Sequence, residues 1–202
     1  MRDTTRRAAL SAATILTVLP ASAQGTTPSA VVDAFHAALL QTMREARQLG
    51  PHGRERRLRP AMQTAFDLPA MTRIAVGPPW RALAEADQQD LVSAFSDWVV
   101  ATYANRFDGY GGEIFKDGGE NTLQNGDRLV RTQLVRTDDA PVQLNYLLRS
   151  GEGRWRVVDV YLDGAISELA SRRSDFAALL REGGAPKLAA ELRRRTATLL
   201  GG

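Results

Sequence analysis

The chain has no cysteine, only two histidines among its 202 residues, and no long hydrophobic run. Without cysteine it cannot form disulfide bonds, use thiol catalysis or bind zinc through thiolates. Two histidines argue against a histidine-rich metal site. The apolar stretch over residues 8–19 is too short for a helix that spans a bilayer. These absences remove polytopic membrane proteins and thiol enzymes from the candidate functions.

The composition is that of a globular domain. Apolar residues make up 44% of the chain and charged residues 24%, which excludes a disordered tail and a collagen-like fibre. A length of 202 residues fits one domain with a buried core.

The N-terminus has the layout of an export signal. Three arginines precede the apolar stretch, and Ala21-Ser22-Ala23 follows it with the small-x-small pattern of a cleavage site. We therefore predict a signal peptide over residues 1–23, cleavage before Gln24, and a single exported domain over residues 24–202. A short N-terminal membrane anchor is the alternative, and the pattern does not separate general secretion from twin-arginine export.

The charge balance gives no support to nucleic-acid binding. The formal net charge is +3, and residues 1–23 hold three of the basic residues and one of the acidic ones. The predicted mature chain therefore has a net charge of about +1, which lacks the basic excess typical of nucleic-acid-binding proteins.

The first half of the chain and its C-terminus have helical periodicity. Apolar residues recur every three or four positions, and Asp67 can cap the third helix. The predicted helices cover residues 29–49, residues 54–66, a short segment after Asp67, residues 85–107, and a C-terminal region divided by Gly183-Gly184. The arginine-rich residues 54–59 are predicted to form a solvated face, and a surface that meets anionic head groups or an acidic partner is the alternative.

Between these helical regions the apolar period changes to two. The predicted strands cover residues 113–116, 128–136, 141–149 and 154–162. Their short connections favour an antiparallel meander. The fold class is therefore α+β. We predict a curved four-stranded antiparallel sheet with helices packed across it, enclosing an apolar cavity.

The last predicted strand, residues 154–162, leads to two further predictions. Apolar residues on both of its faces predict that both faces are covered. Gly164 stands between this strand and the next helical stretch, and only glycine adopts a positive φ there without strain. We therefore predict a positive φ or a very close contact at Gly164.

No set of residues suits catalysis. The chain has no Gly-x-Ser-x-Gly motif and no phosphate-binding glycine loop. His36 has no second metal ligand four residues along its helix, so we interpret it as a packed histidine. Asp159, Tyr146 and Tyr161 are the plausible acid–base groups. We therefore predict no catalytic residue, no metal and no cofactor.

An ordered set of segments resembles the periplasmic phospholipid-binding component of the Mla lipid-transport system, also called the toluene-tolerance family. The segments are FDLPAMTR (66–73), GPPW (77–80), residues 95–104, YGG (110–112), WRVVDV (155–160) and DGAIS (163–167). The resemblance extends over about residues 30–195. ANRFDGY (104–110) and DVYLDGAISELA (159–170) are most similar to the hopanoid-biosynthesis-associated branch.

The resemblance implies a soluble periplasmic carrier and not an enzyme. Because the chain has no cysteine and no second apolar span, we also predict a monomer. The implied cargo is a phospholipid or a hopanoid, held in an apolar cavity between sheet and helices with its head group near solvent. The implied partners are an inner-membrane ABC transporter complex and an outer-membrane lipoprotein or porin. The type of lipid and the direction of transport stay open.

Aliphatic and aromatic side chains are the expected cavity lining. The candidates are Phe95, Trp98, Val99, Tyr103 and Phe107 on the long helix, and Leu134, Val142, Leu144, Tyr146, Leu148, Val158, Val160 and Leu162 on the strands. The same residue types also build solid cores, so each could instead be a core residue. Two other functions stay open, an extracytoplasmic enzyme acting on a lipid or polyprenoid and a scaffold for lipid-biosynthesis proteins.

Overall fold

The computed structural model describes residues 27–137 and 139–201. The predicted signal peptide and its cleavage site lie outside these residues. Within them, five α-helices and a short 3-10 turn at Pro78–Ala82 accompany one sheet. The helices are α1 (Pro28–Arg44), α2 (Ala46–Ala65), α3 (Leu68–Val76), α4 (Glu85–Arg106) and α5 (Glu168–Leu200).

Side-chain caps explain where three helices begin. Thr27, Asp67 and Ser167 each accept a hydrogen bond from the backbone N–H three residues later, at 3.2, 2.9 and 2.9 Å. Each bond satisfies one of the N–H groups that a helix start leaves unpaired. The predicted cap at Asp67 is confirmed.

Glycines with non-helical dihedral angles interrupt two helices and kink them. Gly50 has φ +59 inside α2, and Gly184 has φ +68 inside α5, next to a non-helical Gly183. The predicted break at Gly183-Gly184 is confirmed. The first helix ends earlier than predicted, at Arg44, and the prediction that it runs to residue 49 is wrong.

The sheet is open, antiparallel and five-stranded. Its strands are β1 (Ile114–Thr122), β2 (Arg128–Val135), β3 (Val142–Gly151), β4 (Arg154–Leu162) and β5 (Ile166–Ser167), in that spatial order. The α+β class is confirmed, but the prediction of four strands is wrong. The fifth strand has only two residues, which is too short to show a period in the sequence.

The first strand is also longer than predicted. It continues through Gly118-Gly119, which the sequence suggested as a turn, because the strand has a bulge between Asp117 and Glu120. Gly119 has φ +86, and a Cβ on Gly118 would lie 3.0 Å from the Arg131 carbonyl oxygen. Glycine at these positions lets the strand bulge and then resume its pairing.

A second irregularity lies in β4. Leu147 pairs with Asp159 and Leu148 with Val157, so Val158 is an extra residue with no partner on β3. Residues 157–160 are all buried, which confirms that β4 is covered on both faces. Beyond the extra residue, the inward-facing position of β4 moves from Val158 to Val157.

Gly164 joins β4 to β5 with φ +82, and the predicted positive φ is confirmed. A Cβ there would lie 2.7 Å from Gln143 Oε1, the end of an exposed side chain that can move, so the backbone conformation is what requires glycine.

The main core lies between the helices and one face of the sheet. Phe35 of α1 contacts Phe66, Tyr103 and Tyr146 edge-on, with ring centroids 4.8, 5.5 and 6.4 Å apart. Such edge-to-face pairs are favourable beyond their buried area. No helix of the described ranges has both the length and the apolar character needed to cross a bilayer.

Candidate functional site

A pocket of about 1080 Å³ lies between α4 and one end of the inner sheet face. The junction of α1 and α2, the loop after α4 and the first turn of α5 complete its wall. Its volume is at the upper end of the range of about 300–1,000 Å³ that is usual for small-molecule sites.

Ten of the thirteen candidate lining residues lie on this wall. They are Phe95, Trp98, Val99, Tyr103 and Phe107 of α4 and the residue after it, and Leu134, Val142, Leu144, Val160 and Leu162 of the sheet. The sheet residues share one face because β2, β3 and β4 pair Leu134 with Val142 and Leu144 with Leu162. The structure therefore brings these ten side chains together.

Helix α4 presents different sides to the pocket and to the core. Val99 lines the pocket and is 8% exposed, whereas its neighbour Val100 is 0% exposed in the packed core. The pocket wall is thus one side of a helix whose adjacent side is solidly packed.

Three candidates lie away from the wall. Tyr146 and Leu148 face inward, but at the end of the sheet that α1 and α2 cover, and both are buried in the main core. Val158 is the extra residue of β4 and is buried outside the main core cluster. These three are packing residues in the structure, and the pocket occupies only part of the inner sheet face.

The wall also contains Met43, Met71, Thr102 and Leu169, which are not among the predicted lining residues. Met43, Met71 and Leu169 were visible as members of helical apolar stripes. Their meeting at one pocket depends on how α1, α3 and α5 pack against α4, and a period along one helix does not specify that packing.

The mouth of the pocket is polar and rich in arginine. Arg44, Arg47, Arg106, Arg136 and Arg172 contribute to its lining together with Glu45, Asp108, Glu113 and Glu168. Glu168 lies between two of these arginines, 3.6 Å from Arg106 Nη1 and 3.7 Å from Arg172 Nη2. Both distances exceed that of a hydrogen bond, so this carboxylate pairs only loosely with either cation.

Aromatic rings hold two mouth arginines in place. The Arg172 guanidinium lies 5.3 Å from the centroid of Trp98, and the Arg44 guanidinium lies 5.0 Å from that of Tyr110. Both distances are those of cation–π contacts. Arg172 therefore stands where the apolar wall meets the polar mouth.

Beside the pocket, the core contains a buried polar pair. His36 Nε2 and the Tyr146 hydroxyl are 3.0 Å apart, and the imidazole stacks on Phe115 with centroids 3.6 Å apart. Burial lowers the pKa of His36 to about 3, so the ring is neutral at physiological pH. Burial also raises the pKa of Tyr146 and of Tyr103.

Asp159 has a structural set of partners. It accepts hydrogen bonds from the Ser167 hydroxyl at 2.5 Å and from the backbone N–H of Val160 at 2.8 Å. The Leu169 N–H lies 3.4 Å from it. Burial raises the pKa of Asp159 against the opposite effect of these bonds. Asp159 thus fixes the start of α5 and is not on the pocket wall, and Tyr146 and Tyr161 are not on it either.

No cluster of three or more potential metal ligands occurs in residues 27–137 and 139–201. The pocket can hold an apolar molecule with a polar end at its mouth.

Comparisons with known proteins agree with this geometry. Residues 33–194 match the family model described as MlaC protein. No curated protein matches the chain. Among solved structures, the fold is similar to that of the phospholipid-binding protein from Ralstonia solanacearum, solved in complex with a phospholipid. That structure aligns with a TM-score of 0.73 and 21% identity, covering 84% of this chain and 97% of the other.

Proposed function

Since the chain belongs to the MlaC family, we propose that it is a periplasmic carrier that binds one lipid in the pocket and moves it between the inner and outer membranes. The pocket of about 1080 Å³ behind α4 is the observation that carries this proposal. Its ten apolar sheet and helix side chains are the proposed lining for the acyl chains or rings of the cargo.

The proposal has a simple energetic basis. Burying each methylene group of a lipid contributes about 0.8 kcal/mol, so a two-chain lipid exposed to water would lose on the order of 20 kcal/mol. A carrier must offer apolar surface comparable to that of the bilayer. A much better environment would prevent release, so aliphatic and aromatic lining without many specific polar contacts suits the task.

The family and its solved relative support a cargo and a set of partners. The relative from Ralstonia solanacearum, described as bound to a phospholipid, supports a phospholipid cargo, while the residues 104–110 and 159–170 motivate a hopanoid. Because a passive pocket cannot set a direction of transfer, the direction must come from membrane partners. We propose an inner-membrane ABC transporter complex and an outer-membrane lipoprotein or porin, which a monomeric carrier visits in turn.

The direct test is to extract the purified exported protein with organic solvent and to quantify its lipids by mass spectrometry. We expect close to one lipid per chain. A folded protein that binds no lipid, either on purification or after incubation with vesicles, would contradict the carrier function and favour the scaffold.

The enzyme alternative needs a separate experiment. Asp159→Asn removes the carboxylate that an enzyme acting on a lipid would need as an acid or base. We expect this variant to retain its full lipid content, because Asp159 bonds to the start of α5 and does not line the pocket. Conversion of the bound lipid by the wild type, lost in the variant, would establish an enzyme instead.

A further inference from the structure

The mouth of the pocket contains two arginines whose charges are poorly satisfied within the protein. We propose that Arg106 and Arg172, on either side of Glu168, form an anion subsite that binds the phosphate of a phospholipid. This inference rests on the proposed carrier function and deepens it, because it names the two residues that would select a phosphate-bearing lipid over an uncharged one.

The hydrogen-bonding state of Arg172 is the first observation. In the described part of the chain, the buried side-chain nitrogens without a hydrogen-bond partner are the Nε atoms of Arg136 and Arg172, and both arginines line this pocket. A buried N–H group without an acceptor is unfavourable. Because the guanidinium group is a planar fork of N–H donors, a small turn of the side chain would present it to a phosphate.

The charge balance around Glu168 is the second observation. Its carboxylate is 3.6 Å from Arg106 and 3.7 Å from Arg172, so two cations share one anion. The trio has a net charge of +1, and no N–O distance in it is short enough for a hydrogen bond. A phosphodiester would neutralise this charge and accept two charge-assisted hydrogen bonds.

Most of the other charged groups at the mouth have partners within the protein. Arg136 forms an ion pair of 3.0 Å with Asp139. On the acidic side, Glu45 pairs with Arg57 at 2.8 Å and Glu113 accepts the Gly111 N–H at 2.6 Å. Arg44, Arg47 and Asp108 are exposed to solvent. The trio around Glu168 differs from them because two arginines there share one carboxylate.

The subsite is continuous with the apolar wall. The Arg172 guanidinium lies over Trp98, and Leu169, one turn earlier on α5, also lines the pocket. A molecule bound here can therefore place an acyl chain against the wall and its phosphate against the arginines. This continuity favours the phosphate of a lipid over free inorganic phosphate as the ligand.

A competition between two lipids tests the proposal. Delipidated protein is incubated with vesicles that contain phosphatidylglycerol and diacylglycerol with identical acyl chains, and the bound lipids are quantified by mass spectrometry. We expect the wild type to prefer phosphatidylglycerol by about tenfold or more. Arg106→Gln/Arg172→Gln should bring the preference close to one while the total lipid per chain stays unchanged.

The matched control is Arg56→Gln/Arg81→Gln, which removes two positive charges from exposed arginines outside the pocket. It should keep the wild-type preference, and an equal loss there would overturn the subsite in favour of overall charge. Thermal melting verifies folding. If the double variant does not fold, the single variants Arg106→Gln and Arg172→Gln should each reduce the preference severalfold.

Three further outcomes have definite meanings. A wild type that binds both lipids equally, or a folded double variant that keeps the preference, would overturn the subsite and leave the carrier function intact. A wild type that binds neither lipid would contradict the carrier function itself. Loss of the preference in excess inorganic phosphate, with the total lipid per chain unchanged, would support the subsite, because the free anion would then occupy the arginines in place of the lipid phosphate.

Discussion

His36 is an ionisable residue that is buried among aromatic side chains. It is 5% exposed, stacked on Phe115 and within 3.0 Å of the Tyr146 hydroxyl. A charged imidazole would lose its hydration there, and its pKa falls from 6.5 to about 3 for that reason. The expectation of a packed histidine, drawn from its isolation on an apolar helix, is thus consistent with the structure.

This burial predicts a pH-dependent stability. Below pH 6.5 the unfolded chain protonates His36 while the folded chain does not, so stability present above pH 6.5 is lost as the pH falls toward about 3. Between pH 7 and pH 5 this residue should cost the wild type about 2 kcal/mol of unfolding free energy. Urea unfolding at the two pH values measures the loss.

The variant His36→Gln should lose less stability than the wild type over the same interval. The exposed His52 provides the matched control, and His52→Gln should show the wild-type loss. Equal losses in all three proteins would contradict the prediction, because they would show that folding does not lower the pKa of His36.

For individual residues, the sequence predicts the pocket-lining positions of α4 well and those of the sheet less well. The period of α4 gives Phe95, Val99 and Tyr103 directly, because residues four apart share a helix face. No pattern in the sequence marks the extra residue of β4, which turns the Val158 side chain away from the inner sheet face. Tyr146 is absent from the pocket wall for another reason. Helix α1 covers it, and only tertiary packing shows this.

At the scale of elements, the link from β4 to α5 positions one side of the pocket. Gly164 has φ +82 and its backbone carbonyl lies 3.3 Å from Asn145 Nδ2, while Asp159 binds the first turn of α5. Leu169 and Arg172 therefore reach the pocket through a junction fixed at both ends.

A β-branched residue at Gly164 should strain this junction. Gly164→Val is expected to destabilise the protein by about 1–3 kcal/mol through its backbone conformation. The Gln143 amide oxygen would lie 2.7 Å from the new Cβ, but this exposed side chain can turn away. Gly151→Val is the matched control, since Gly151 has no positive φ and nothing within 4 Å of its Cβ position. Chemical denaturation should show a larger loss at Gly164, and equal losses would contradict the argument from backbone strain.

The sequence predicts the ends of helices and strands where a single residue determines them. It does not predict them where they depend on pairing between two strands. Asp67 and Gly164 act through their own caps and dihedral angles, so the sequence is sufficient there. The extension of β1 through Gly118 depends on its bulged pairing with β2, and β5 forms only because Tyr161 and Leu162 offer partners. Such pairing is a property of two segments and leaves no period in either one.

At the scale of the whole molecule, the proposed carrier must be exported before it can act. We expect N-terminal sequencing of the protein from the periplasm to begin at Gln24, because Ala21-Ser22-Ala23 is the predicted cleavage site. Size-exclusion chromatography with light scattering should give a monomer. An exported protein that retains Met1 would contradict the signal peptide and favour the membrane anchor.

The carrier function also requires that the space behind α4 be available to cargo and not be part of a solid core. Val99 and Val100 both belong to the main core cluster, but Val99 also lines the pocket and is 8% exposed, whereas Val100 is 0% exposed and does not line it. A tryptophan at position 99 can occupy volume that the lipid vacates. We therefore expect Val99→Trp to melt close to the wild type while its lipid content per chain falls.

The same substitution one residue later should have the opposite effect. Val100→Trp adds bulk to a packed region, which typically destabilises a protein by about 1–3 kcal/mol, while molecules that remain folded should keep their lipid because the pocket wall is unchanged. Thermal melting and lipid mass spectrometry on the same preparations measure both quantities. If Val99→Trp were instead strongly destabilised and fully loaded, α4 would be a core helix at that position, and the lipid would have to lie elsewhere between the sheet and α5.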